Sequence, residues 1–333
     1  MSSNRLLSLT FTVALASLAQ AAAAAPSAYQ VIDLGPAQWP LALNRHGTVV
    51  GKTADTEQAD VYRDGAWTLL KARGATSTAE AVNGAGDIVG EDGSKPVRWR
   101  HGHRSVLEGL GKATAAGIAD DGTIVGTYTQ GHEEHCYAWK DGAITDLGTL
   151  GGARCNAYAV DPTGQYIGGM ASGARFSGHA FIHDAQGMHD LGTLPNGYVS
   201  WVRAVNRHGH ASLWADVDNS GDWAAAYWNG HRLIEVPGVR LPGGQSIGAG
   251  INGRDQMLVL GDDGSGDMIF LYEGRTKAVT AIVPRIANPD GWCFCGPWSR
   301  LATGISDDGR IVGSAQFNGE EHGYMLVPDE GGR

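Results

Sequence analysis

Glu80, Tyr158 and Arg203 differ in chemistry yet hold one position of a recurring sequence pattern, flanked by small residues, where the other copies have Leu41, Ala116, Ala249 and Thr303. A phenol or imidazole that shuttles a proton, beside a guanidinium that neutralises a uronate, is what elimination on an anionic polysaccharide requires. If the chain is an enzyme of that kind, Tyr158, His132 and Arg203 are its catalytic residues. Glu80 and Arg203 equally suit binding of a ligand, and the plainest alternative leaves them solvated or paired with each other. A second group lies in PRIANPDGWCFCGPWSR at 284–300, where Trp292, Phe294 and Trp298 stand close to Arg300. Aromatic faces beside a planar fork of donors suit a sugar or a peptide, whereas the bland alternative is a plug that packs on neighbouring structure. A third is His132-Glu133-Glu134-His135-Cys136, all of metal-ligand type. His135 recurs as His179 and His322 at one pattern position, and strand neighbours point to opposite sides. His132 and His135 are therefore weak metal candidates, and no metal or cofactor is assigned. No nucleophile elbow, paired-carboxylate spacing or phosphate loop stands out.

The elements that must position these residues come from the repeat itself. ATGISDDGRIVG at 302–313 has copies at 79–90, 115–126, 157–168 and 202–213, and weaker ones at 248–259 and from Leu41, seven in all. A full unit reads as four short strands: a small-residue strand such as 157–160, an Ile-Val-Gly strand such as 124–126, an aromatic strand such as 136–139, and an Asp-Leu-Gly strand such as 143–148. Between them lie hairpin signals, among them Lys140-Asp141-Gly142 and Trp228-Asn229-Gly230. Equivalent turn positions recur every 36 to 54 residues, which suits four-stranded propeller blades. The seventh unit stops after its aromatic strand at 322–328, and the missing Asp-Leu-Gly strand stands at the other end of the chain, at 29–35. Pairing the two closes a ring and removes an exposed edge. The expected fold is all-β, a seven-bladed β-propeller of four-stranded blades forming one domain over 25–333, closed by its N-terminal strand.

Residues 1–24 read as a signal peptide, with Arg5 ahead of an apolar run and small residues before the cut, so a secreted or periplasmic protein is expected. That run is too short to span a bilayer and no second one follows. A formal net charge of -10 disfavours nucleic acid as a partner. The 50 glycines fall at fixed places in the repeat, so they read as turn chemistry rather than low complexity.

His179-Ala180-Phe181 followed by Asp190-Leu191-Gly192, and TDLGTLGG at 145–152, resemble the bacterial extracellular HAF repeat. The fifth and sixth units depart from it, with Ala224-Ala225-Ala226 and Met268-Ile269-Phe270 where His-Ala-Phe would stand. That resemblance implies secretion and a propeller-like fold, and it implies no settled activity. In such a fold the long connections 127–135, 214–223 and 284–300 share one face, where function is expected. The three repeat histidines are expected to hydrogen-bond backbone between blades. Cys136 and Cys155 fall on one rim of adjacent blades and are expected to form a disulfide. Cys293 and Cys295 lie across the ring from them, beyond the roughly 4.4–6.8 Å that a bridge spans, and form either a local bridge or a free pair.

Two functions remain open. One is a non-catalytic binding scaffold, expected as a monomer, that presents its loop-rich face to a carbohydrate, a peptide or an envelope component through Trp292, Phe294, Trp298, Arg300, Glu80 and Arg203. The other is a polysaccharide lyase acting on a uronate-containing glycan. The lack of a catalytic signature favours the first.

Overall fold

The computed structural model describes residues 29–329, apart from 219–220, 267 and 296–297 and the side chains of Trp298 and Ser299. The expected signal peptide lies outside the described residues. Strands dominate. Four sheets each take four consecutive strands, over 38–69, 77–106, 200–235 and 246–281. An eight-stranded sheet holds two more such runs, 117–146 and 151–192, joined where Glu134 meets Arg154 in parallel. The last sheet combines 304–305, Ile311–Phe317 and Glu320–Pro328 with the N-terminal strand Tyr29–Pro36, and Trp292–Cys293 pairs with Phe317 and Gln316 at its other side. These are the four-stranded blades of an all-β propeller, and the first strand closes the last blade as the sequence predicts.

Local chemistry sets the turns. Asp64-Gly65, His101-Gly102 and Asp141-Gly142 each place two consecutive residues at positive φ, the mirror-image turn that matches strand twist. The inner turns use glycine at 47, 86, 122, 164, 209 and 309, all at positive φ, whereas the sixth repeat has Asp255 at φ 65°. Its carboxylate is held by Asn206 Nδ2 at 2.8 Å and His210 Nδ1 at 2.7 Å, which steadies a conformation that aspartate tolerates better than most residues.

The core sits between blades rather than within them. Successive strand residues face opposite ways, so an Ile-Val pair serves two seams at once. Ile88 packs towards the preceding repeat with Val50, Val61 and Trp99, while Val89 packs towards the following one with Leu107 and Tyr137. Ile124 and Val125 divide in the same way. Leu34, Val49, Val312 and Met325 fill the closing seam.

Two expected connections turn out to be strand. Ile124–Gln130 and Glu133–Lys140 pair until only a tight turn is left of 127–135, and Ala211–Asp216 carries the strand through Trp214. The β-forming Thr127, Tyr128 and Thr129 explain the first extension.

Candidate functional site

The position held by Glu80, Tyr158 and Arg203 is structurally special. The inner strand of most repeats carries a β-bulge, with register shifts between Pro40 and Ala42, Ala79 and Ala81, Ala157 and Ala159, Val202 and Ala204, and Gly248 and Gly250. The extra residue is Leu41, Glu80, Tyr158, Arg203 or Ala249. A bulged residue leaves the ladder and its side chain is re-aimed, here into the space enclosed by the inner strands. The bulge also explains the glycine of Ile-Val-Gly. A Cβ at Gly90 would overlap the carbonyl oxygen of Thr78, and one at Gly169 that of Asn156, because the bulged backbone leans onto the second strand.

The result is a central cavity of about 640 Å³ lined by residues from every repeat. Glu80, Tyr158 and Arg203 share it with Trp214, and alanines 81, 116, 159, 204 and 249 leave room around them. Arg203 is exposed to this space, Glu80 and Tyr158 are half-buried, and none of the three side chains makes a hydrogen bond or ion pair among the described residues. Arg203 instead stacks its guanidinium 5.3 Å from the Trp214 ring centre, and Trp214 Nε1 donates to the carbonyl of Gly248 at 2.9 Å, which fixes the ring. Of the two plain alternatives for Glu80 and Arg203, pairing with each other does not occur, and Arg203 is solvent-exposed in the channel. Charges at the mouth do pair: Arg45 with Asp120 at 3.1 Å and Arg207 with Asp307 at 4.0 Å.

Enclosure shifts all three groups. Burial raises the Glu80 carboxyl above the usual glutamate range and the neighbouring Glu91 carboxylate adds to this, with Lys52 and Arg203 opposing. Burial likewise raises the Tyr158 phenol against the pull of Arg203. Burial lowers Arg203, and Tyr158 and Glu80 counter it.

The other expected members stand elsewhere. His132 is exposed in the turn after Ile124–Gln130 and does not line the cavity. The described residues of the tryptophan loop do not line it either. Trp292 packs on Phe317 at 4.9 Å and stacks with Phe294 at 6.0 Å, and the buried Phe294 meets Tyr324 at 5.1 Å. Arg300 lies 4.1 Å over the Trp39 ring and 3.6 Å from Glu321. This is the packing alternative, and burial of such rings outweighs leaving them in water. The Trp298 side chain lies outside the described residues. Among the described residues of the long connections only Trp214 contributes to the lining, and the cavity extends instead to the tight inner turns at Arg45, Asp120, Arg207 and Asp307.

The repeat histidines do not reach between blades. His135 Nδ1 meets Asp146 at 2.9 Å, His179 meets Asp190 at 3.0 Å and His322 meets Asp33 at 2.9 Å, each joining the third strand to the fourth of one blade. The same aspartates accept from Gly148, Gly192 and Gly35, so His-Ala-Phe and Asp-Leu-Gly form one device. An aromatic ring lies against each imidazole, Tyr128 and Phe176 stacked on His135 and His179 and Phe317 edge-on to His322. This device occupies His135, and no group of three or more metal-ligating side chains is gathered among the described residues.

Both cysteine pairs are bridged, Cys136 to Cys155 and Cys293 to Cys295, with Cα separations of 5.0 and 5.1 Å. The first has a counterpart in other repeats that the sequence signals as serine three residues before the bulge. Ser77, Ser200 and Ser246, all buried, accept from the backbone N–H of Ala59, Ala180 and Ala225 in the preceding blade. Cys155 stands at that serine position and Cys136 at that alanine position.

No family model matches the chain, nor does any curated protein. The HAF resemblance therefore rests on its motifs alone. Solved structures do match. Over 96% of this chain and the whole of the other, it aligns with a chain of a mitotic checkpoint complex at a TM-score of 0.55 and 14% identity. The fold is that of a β-propeller. An oligogalacturonate lyase from Vibrio parahaemolyticus aligns over 91% of this chain and 94% of its own, at a TM-score of 0.54 and 10% identity. TolB from Acinetobacter baumannii aligns at 0.46 and 14% identity over 89% of this chain, which spans 65% of the TolB chain. At such identities the likeness is one of fold, shared by enzymes and non-enzymes alike.

Proposed function

We propose that this chain is a secreted or periplasmic binding protein, a monomeric ring of seven blades that holds its ligand in the central channel without reacting on it. The seven sequence repeats support the blade count, and the apolar run at the N-terminus supports export. The observation that carries the reading is the convergence of three unpaired polar side chains, Glu80, Tyr158 and Arg203, in one roomy cavity. Polar groups inside a protein are ordinarily satisfied by one another, and groups left open in a concave site are those a ligand completes. Carbohydrates, peptides and envelope fragments remain the partner classes.

A lyase is the second reading, favoured by Tyr158 and Arg203 sharing that cavity and by the fold likeness to an oligogalacturonate lyase. Two features weigh against it. Burial favours the protonated phenol of Tyr158 over the phenolate that proton abstraction would use, and His132 lies away from the cavity. The test is a screen of the purified protein against polysaccharides, cell-wall fragments and peptides, with binding and unsaturated-uronate absorbance followed together. The expected outcome is binding that Arg203→Ala abolishes, with no rise in absorbance. Rising absorbance would replace the binding reading with the lyase, and binding that survives Arg203→Ala would remove the channel as the site.

A further inference from the structure

Taking the channel as the binding site, the charges left open in it narrow the ligand class. Ionic groups of both signs line the cavity, but those at the mouth neutralise each other, Arg45 with Asp120 and Arg207 with Asp307. Deeper in, Glu80 from the second repeat and Arg203 from the fifth remain unpaired among the described residues. Glu80 is half-buried and Arg203 faces the open channel, so both charges are accessible to a ligand. A single ligand that carries both opposite charges pairs with both, whereas a ligand of one sign satisfies one wall and is repelled by the other. We propose that the channel recognises a small zwitterion, its ammonium group at Glu80 and its carboxylate at Arg203, as in a free amino acid or a short peptide.

Each wall is suited to its half. On the Arg203 side the guanidinium carbon lies 5.3 Å from the Trp214 ring centre, and its N–H donors, without a hydrogen-bond partner among the described residues, form a fork that matches the two oxygens of a carboxylate. Trp214 is itself pinned through Gly248, so the fork is oriented before a ligand arrives. Tyr158 lines the same cavity from the adjacent repeat with its hydroxyl free, a further donor to the same anion. On the Glu80 side the neighbouring cation Lys52 is already engaged by Glu57 at 3.0 Å and lies over Trp39. Glu80 is the carboxylate on that side that lines the cavity without an ion-pair partner among the described residues. An anionic sugar would meet Arg203 but also this acidic wall, and a polyamine would meet the reverse. Between the two walls the alanines leave space for a modest side chain, in a cavity of about 640 Å³.

The experiment is calorimetric titration of the full mature protein with a panel of the common amino acids and alanyl-alanine, repeated for the best binder with its amine acetylated and with its carboxylate amidated. The expected result is binding by at least one free zwitterion, at least tenfold weaker for either blocked form. Glu80→Gln should erase the preference for the free amine, and Arg203→Met the preference for the free carboxylate, with melting temperatures close to wild type. If the acetylated form binds as tightly as its parent and still depends on Arg203, the zwitterion is overturned while the channel stands as a carboxylate site. If no panel member binds, the zwitterion is likewise overturned, and Arg203-dependent binding in the broader screen decides separately whether the channel is a site at all.

Discussion

The outer edge of the blades and the wall of the channel obey opposite rules. At the edge, the third, fourth and seventh repeats reproduce one arrangement: an aromatic ring over a histidine, the histidine on an aspartate, and the aspartate on a glycine N–H. At the channel wall the backbone repeats as a bulge while the side chain it presents changes from Leu41 to Glu80, Tyr158 or Arg203. Where structure and side chain recur together, the residue serves the fold. Where the backbone recurs and the side chain does not, the position is free to take up a function. The seam positions mostly follow the first rule, and Asp60 breaks it.

The largest loss of stability should come from cutting the Cys136–Cys155 bridge. Replacing Cys136 and Cys155, 19 residues apart, with alanine should cost about 3 kcal/mol in urea denaturation and leave ligand affinity unchanged. The pair Cys136→Ala with Cys155→Ser copies the serine junction found at Ser77, Ser200 and Ser246, and should recover about 1 kcal/mol of that loss. No recovery would mean that the junctions are not equivalent.

Asp60 should give the next effect. It is 1% exposed, neither carboxyl oxygen has a hydrogen-bond partner, and burial pushes its pKa up to about 7. The corresponding residues Val97, Tyr137, Phe181 and Tyr324 face Gly90, Gly126, Gly169 and Gly313 as apolar or aromatic side chains. A carboxyl raised in the folded state supports folding below its unfolded pKa and loses that support as pH rises through about 7. Asp60→Asn should therefore match wild type near pH 4 and be more stable at pH 8, by at most about 4 kcal/mol at ~1.4 kcal/mol per pH unit. Melting curves at the two pH values check this, and an equal difference at both would refute it.

His179→Ala should cost about 1–2 kcal/mol through loss of its bond to Asp190 and its stack on Phe176, again without touching binding. The smallest change in stability belongs to Arg203→Ala, within about 0.5 kcal/mol, because its guanidinium is exposed to the channel and has no ion pair to lose.

Much of this was legible in the sequence because the repeat announces it. Blade boundaries, hairpin turns, the closing strand and the Cys136–Cys155 bridge follow from spacing, and so does the row holding Glu80, Tyr158 and Arg203. What spacing does not carry is orientation across a sheet. The repeat alone suggests histidines reaching between blades, because nothing in one strand's sequence says that Asp190 lies beside His179 on the next strand. Because its aromatics break the pattern, the sequence leaves the tryptophan loop open between a ligand site and a plug, and Trp292 and Phe294 pack against Phe317 and Tyr324. Trp214 does not stand out in the sequence as the partner of Arg203, because the repeat spacing places it at the start of a connection. Its alternation with the buried Leu213 and Ala215 was the available signal.

The central claim is that one residue row makes the site and the periphery only holds it. Its most direct test compares Glu80→Gln/Arg203→Met with His179→Ala, each measured for melting temperature and for binding of the ligand found by screening. The channel variant should melt like wild type and bind nothing, while the rim variant should melt lower and bind as before. Retained affinity in the channel variant would contradict the account.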